Sequence, residues 1–169
     1  MTYQSERKPF ESRLYLENDI PTKSVAADFL IAMGFELRVP LIEQPEFYCD
    51  WDIELFHEGI PKHIEVERKL SWQVSGAWQG YETVDVPYRK KESKADFFIM
   101  INKSFDTLCV CPMQIVQESV VGKKKTKYTL SGTEKFYQCP LNIFFFYRII
   151  KLSFGNWWEP FNPKTGECS

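Results

Sequence analysis

The chain has 169 residues, 44% of them hydrophobic and 16% aromatic, and a formal net charge of −2 at pH 7. That length and apolar content are those of one globular domain with its own core, residues 1–169, with polar residues 1–12 expected to be loosely held. No apolar run approaches the roughly 20 residues of a membrane span, which excludes a transmembrane helix. An odd number of cysteines (Cys49, Cys109, Cys111, Cys139, Cys168), several in apolar runs and with no secretory signal ahead of them, excludes a disulfide framework. A reducing cytoplasm is the compartment this implies. The cysteine spacing lacks paired C-x-x-C knuckles, so buried structural thiols are the preferred reading over a zinc site.

In chain order, Thr22 or Ser24 is suited to cap a helix through Met33, with Val25, Phe29, Leu30 and Met33 on one face and Gly34 as its stop. Residues 35–39 read as a strand ended by Pro40, residues 47–56 as a second strand, 57–61 as a turn and 63–70 as a third strand. Residues 72–81 are aromatic and glycine-broken, hence irregular, and 83–87 form a short extended piece. Residues 95–102 are apolar enough for a central strand. Residues 107–111, 114–121 and 125–130 read as strands, the last two joined by a hairpin turn at Gly122. A short helix is expected around residues 134–136. The segment 144–154 fits helix or strand, and the tail from Asn156 reads as loop.

Two of these strands carry the chemistry. Side chains alternate along a strand, so Asp50, Asp52 and Glu54 share one face, as do Glu65, Glu67 and Lys69. A hairpin-like pairing of the two gathers several carboxylates and an ammonium. Like charges opposed on a sheet are destabilising, and a divalent metal would offset them. Charge is also segregated along the chain: residues 36–67 hold nine acidic against two basic residues, and residues 68–135 hold twelve basic against seven acidic. An acidic focus beside a basic segment suits a metal-dependent enzyme acting on a phosphate polymer.

A helix closed by Gly34-Phe-Glu-Leu-Arg-Val, an Asp-bearing strand and then Ile64-Glu-Val-Glu resembles the core of the PD-(D/E)XK nuclease superfamily. The resemblance spans about residues 22–102, with residues 103–169 as additional strands and a C-terminal tail. It implies an α/β fold with a central mixed sheet flanked by helices, a restriction-endonuclease-like core. It also implies a Mg²⁺-dependent endonuclease, with Mn²⁺ as a substitute, acting on nucleic acid, DNA foremost; a homodimer would suit such an enzyme. Glu65 aligns with the acid of the family motif, which puts Glu67 where that motif usually has Lys. Sliding the frame to Glu67-Arg68-Lys69 restores the lysine, so Glu67 and Lys69 both remain open for the third position. The family also places a helix between its third and fourth strands, for which residues 72–94 show no apolar stripe.

The expected site therefore comprises Asp52, Glu65, Glu67 and Lys69. Asp52 and Glu65 would hold Mg²⁺ through hard oxygen ligands, the Val66 carbonyl would add another as the resemblance implies, and Glu67 would hold a second metal or orient water. Lys69 would stabilise the charge that develops at phosphorus. Arg89, Lys90, Lys91 and Lys94 would contact phosphates. Plainer readings stand beside these: solvent faces for the two acidic rows, solvated charge for the basic residues including Lys123, Lys124, Lys125 and Lys127, core packing for Trp72 and Trp78, and surface positions for His57 and His63. A non-cleaving nucleic-acid-binding module, or a protein-interaction domain, on the same fold is the alternative to an enzyme.

Overall fold

A computed structural model of the chain describes residues 19–44, 50–126 and 130–169. Helix α1 (Ile20–Ala32) starts earlier than the cap residues suggested, because Pro21 fits its first turn, where a missing N–H costs nothing. It ends in a Schellman arrangement. The Gly34 N–H reaches the Ile31 carbonyl at 3.0 Å, and the Phe35 N–H reaches that of Leu30 at 2.9 Å. Gly34 supplies the required positive φ of 97°.

The expected strand at residues 35–39 reduces to one bridge, Glu36 to Phe56. Strands β1 (Ile53–His57) and β2 (Ile60–Lys69) then form an antiparallel hairpin. Its two-residue turn, Glu58-Gly59, has φ of 50° and 77°, the turn whose twist matches the flanking strands. Of the strand expected over residues 47–56, positions 47–49 lie outside the described residues, as does Cys49.

The chain crosses over through β3 (Thr83–Pro87) and a 3-10 turn (Tyr88–Glu92) before β4 (Phe97–Asn102) pairs parallel to β2. Strand β5 (Thr107–Pro112) follows, then a five-residue helix α2 (Met113–Gln117) where a strand was expected. Strands β6 (Val120–Lys125) and β7 (Thr133–Pro140) form a second antiparallel hairpin, and β8 (Phe145–Leu152) and β9 (Gly155–Phe161) a third. The result is a mixed α/β fold: a six-stranded mixed sheet ordered β1-β2-β4-β5-β8-β9 and a three-stranded sheet ordered β3-β7-β6.

Alternation on β4 divides the core. Ile99 and Ile101 face α1 together with Ile53, Leu55, Ile64, Leu108 and Trp158. Phe98 and Met100 face the other way, into Trp72, Trp78, Val84, Val86, Tyr137 and Phe146. One face of the main sheet is thus covered by a helix. The other is covered by the small sheet and its connections, where helices on both faces were expected. Trp72 and Trp78 pack edge to face at 4.7 Å, and their indole N–H groups donate to the Ala77 and Tyr81 carbonyls. They are core residues, not platforms for bases. The Cys109, Cys111 and Cys139 thiols are buried and free, and burial pushes those of Cys111 and Cys139 up to about 12 and about 11. Among the described residues no helix is long and apolar enough to cross a membrane.

Candidate active site at the head of the first hairpin

Ile53 stands opposite Ile64 in the β1–β2 register, so Asp52, one residue ahead of β1, comes to stand opposite Glu65. Ile53 and Ile64 are fully buried toward α1. Asp52, Glu54, His63, Glu65, Glu67 and Lys69 therefore share the opposite face. The two acidic rows do meet as the alternation required.

Asp52 is fixed twice. Its N–H donates to the Ile64 carbonyl at 2.9 Å, and its carboxylate Oδ2 accepts the Val66 N–H at 2.7 Å. Strand β1 has ended at this point, and the Asp52 side chain takes over the ladder contact that its backbone would have made. Backbone groups also alternate along a strand, so the Val66 carbonyl projects from the same edge as Asp52.

Glu65 is only 7% exposed. The Ser93 hydroxyl lies 3.0 Å from its Oε2, and the Lys90 ammonium is hydrogen-bonded to its Oε1. The same ammonium lies 3.6 Å from Glu67 Oε2. Burial pushes the Glu65 carboxyl above the ordinary range; Lys90 pulls against that and Asp52 adds to it. Burial alone would favour neutral Lys90, but Glu65, Asp52 and Glu67 together outweigh it and hold the ammonium more tightly than an ordinary lysine.

Glu67 faces Arg89, whose Nη2 lies 3.1 and 3.3 Å from its two oxygens. Arg89 Nη1 reaches Glu134 Oε1, on β7, at 3.2 Å. Glu134 thus stands in a strand, where a helix was expected, and its side chain is 2% exposed. Lys69 is half-buried, with its pKa lowered by burial against the opposing influence of Asp85 and Glu67.

The basic run at residues 89–91 does not act as one surface. A 3-10 turn advances three residues per turn, so consecutive side chains point in three directions. Arg89 goes to Glu67 and Glu134, Lys90 to Glu65, and Lys91 outward, 5.2 Å from the Tyr88 ring centroid. Gln117 of α2 fastens this turn from outside, donating to the carbonyls of Lys90 at 3.0 Å and Ser93 at 2.9 Å. Lys94 is exposed, 3.7 Å from Asp50. Of the four expected phosphate contacts, Arg89 and Lys90 are therefore internal counter-charges, and Lys91 and Lys94 face solvent.

Sequence patterning also missed Asp19. It precedes α1, and its carboxyl is raised by burial, lowered by Lys23 and raised again by Asp52 and Glu67, which brings a fourth element to the cluster. His63 is no free surface histidine. Its Nε2 is 2.9 Å from Glu54 Oε2, its ring stacks on Trp51 at 3.7 Å, and its backbone N–H donates to Asp96 Oδ2 at 2.8 Å.

Among the described residues no three of His, Cys, Asp or Glu converge as a ready-made metal cage. The donor chemistry nonetheless fits a hard cation: Asp52 and Glu65 oppose each other and a nearly buried ammonium already sits against the cluster. Glu67 is drawn aside to Arg89. Comparison with protein-family models finds no match, and comparisons with curated proteins and with solved structures find none either.

Proposed function

We propose that this site hydrolyses phosphodiester bonds in nucleic acid with the help of Mg²⁺ or Mn²⁺, on a core of the restriction-endonuclease-like type. The supporting observation is the opposition of Asp52 and Glu65 across β1 and β2, with Asp52 locked onto the Val66 N–H. Asp52, Glu65 and the Val66 carbonyl would hold the ion. When bound, it would polarise the scissile phosphate and lower the pKa of its water.

The chain's own groups would do the rest. The Val66 N–H fixes the Asp52 carboxylate on the strand neighbouring Glu65. Ser93 orients Glu65 through Oε2. Lys90, whose ammonium lies between Glu65 and Glu67, would offer that charge to the developing negative charge, the part expected of Lys69. Arg89 holds Glu67 beside the site, where that carboxylate can accept a proton from water.

A second reading has its own observation. If Lys90 neutralises Glu65 permanently, the cluster is a structural ion-pair network and the domain a non-cleaving nucleic-acid or protein-binding module. Incubating wild type, Asp52→Asn and Glu65→Gln with labelled single-stranded DNA, duplex DNA and RNA, in Mn²⁺ and in EDTA, separates the two. The enzyme reading expects Mn²⁺-dependent cutting by wild type alone. Wild type inert on every substrate favours the module.

A further inference from the structure

We infer that Lys91, Lys135, Lys123 and Lys125 form a track that docks a nucleic-acid backbone and leads it to the carboxylate cluster. The inference rests on the hydrolase reading for its partner and gives that site a substrate path.

The first observation is the register of β6 and β7, which sets Lys123 directly opposite Lys135. Opposed residues on neighbouring strands have Cβ atoms about 5 Å apart, and like charges there are destabilising. Strand β6 is the edge of the small sheet, and one lysine is enough to discourage edge-to-edge pairing. Three in a row at 123–125, with a fourth across the ladder, exceed that need.

The second observation is a convergence of separate elements. The ammonium groups of Lys91, on the 3-10 turn, and Lys135, on β7, lie 5.2 and 5.6 Å from the same Tyr88 ring. All four lysines are exposed. Lys124 points to the other face of the small sheet, where it is ion-paired with Asp85. Among the described residues none of the four on the track is ion-paired with a carboxylate. Among the described residues of the small sheet, Lys123, Lys125 and Lys135 thus share one face, and Lys124 alone of these four is turned to the other.

The third observation is adjacency. Lys91 directly follows Lys90, which binds Glu65, so the stripe's first ammonium stands one residue from the cluster on the 3-10 turn. Lys135 follows Glu134 on β7 but points to the opposite face of that strand, the face it shares with Lys123 and Lys125. Lys123 and Lys125 extend it along β6, spaced by two strand rises, roughly 7 Å. A chain of phosphates laid along these ammonium groups would release its counterions and relieve their mutual repulsion.

The test is fluorescence anisotropy of a short fluorescein-labelled single-stranded DNA in EDTA, across a series of salt concentrations. Each phosphate contact contributes about 0.7 to the slope of log K against log salt. The Lys91→Gln/Lys123→Gln/Lys125→Gln/Lys135→Gln variant should lose roughly 2–3 from that slope and bind at least about tenfold more weakly at low salt. Lys151→Gln, on β8 beside the edge strand β9 of the main sheet, should match wild type. If the quadruple variant unfolds, Lys123→Gln/Lys125→Gln on the exposed edge strand should lose about half as much. An unchanged slope in a folded variant overturns the track, as does a wild type that binds no DNA. A wild type that binds through these lysines yet never cuts in Mn²⁺ leaves the track and removes the hydrolase reading. A wild type that cuts, with a quadruple variant that binds and cuts equally well, removes the track alone.

Discussion

The Lys90 ammonium is hydrogen-bonded to Glu65, and the two side chains are 12% and 9% exposed. Lys90 reaches Glu65 from a 3-10 turn separated from the end of β2 by 18 intervening residues. The turn's position therefore decides whether the carboxylates on β2 are neutralised.

Removing one member of so enclosed a pair strands the other charge, a loss of about 3–5 kcal/mol. Lys90 retains Glu67 at 3.6 Å, so Glu65→Gln should cost about 3 kcal/mol, at the lower end. Adding Lys90→Met should restore most of that loss. Urea denaturation of the two single variants and the double variant measures the coupling directly.

Asp52 separates the fold from the chemistry. Asp52→Ala leaves the Val66 N–H without its acceptor and should cost about 1–3 kcal/mol. Asp52→Asn keeps an acceptor oxygen, and its melting temperature should stay near that of wild type. It removes the charge that would hold a cation, so cutting should fall by orders of magnitude. Thermal melts and single-turnover assays on the two variants provide the comparison.

Asp19 gives the site a pH signature. Burial raises its carboxyl above the unfolded value of 3.8, with Lys23 opposing and Asp52 and Glu67 adding. Because the folded value is the higher one, the protonated form carries the stability. That contribution is complete below pH 3.8 and is lost as pH climbs through the raised value. Asp19→Asn should therefore be more stable than wild type at pH 7, and the gain should vanish on acidification below that point. Denaturation curves at the two pH values check the sign.

The pairing of β1 with β2 was legible because period-two alternation on both segments flanks a turn signal at residues 57–61; the two-residue turn and the register came with the structure. The strand β4 was legible for a different reason, a continuous apolar run that is buried almost throughout. Residues 107–111 also read as the strand they lie in, but several elements beyond them were not legible. Gly122 read as a turn but lies within β6 opposite Phe136, where a Cβ would meet the Gln138 side chain at 2.9 Å. Its glycine serves a close approach, a need that only the neighbouring strand reveals. The tail from Asn156 read as loop because it is rich in Trp, Pro and Gly, yet residues 155–161 form β9, an edge strand that tolerates Gly and Pro. At the site, the carboxylates followed from spacing alone. The role of Lys90 did not, because it depends on a 3-10 turn that fans three adjacent basic residues apart, and the part played by Glu134 depends on a pairing partner distant in sequence.

The most direct measurement is a thermal shift of wild type and Asp52→Asn with Mn²⁺ against EDTA. A ligand at 100 times its Kd stabilises by about 2.7 kcal/mol, which for a chain of this size is a rise in Tm of roughly 5–10 °C. Wild type should show that rise and Asp52→Asn should not. No shift in wild type, or equal shifts in both proteins, would contradict a cation site between the first two strands.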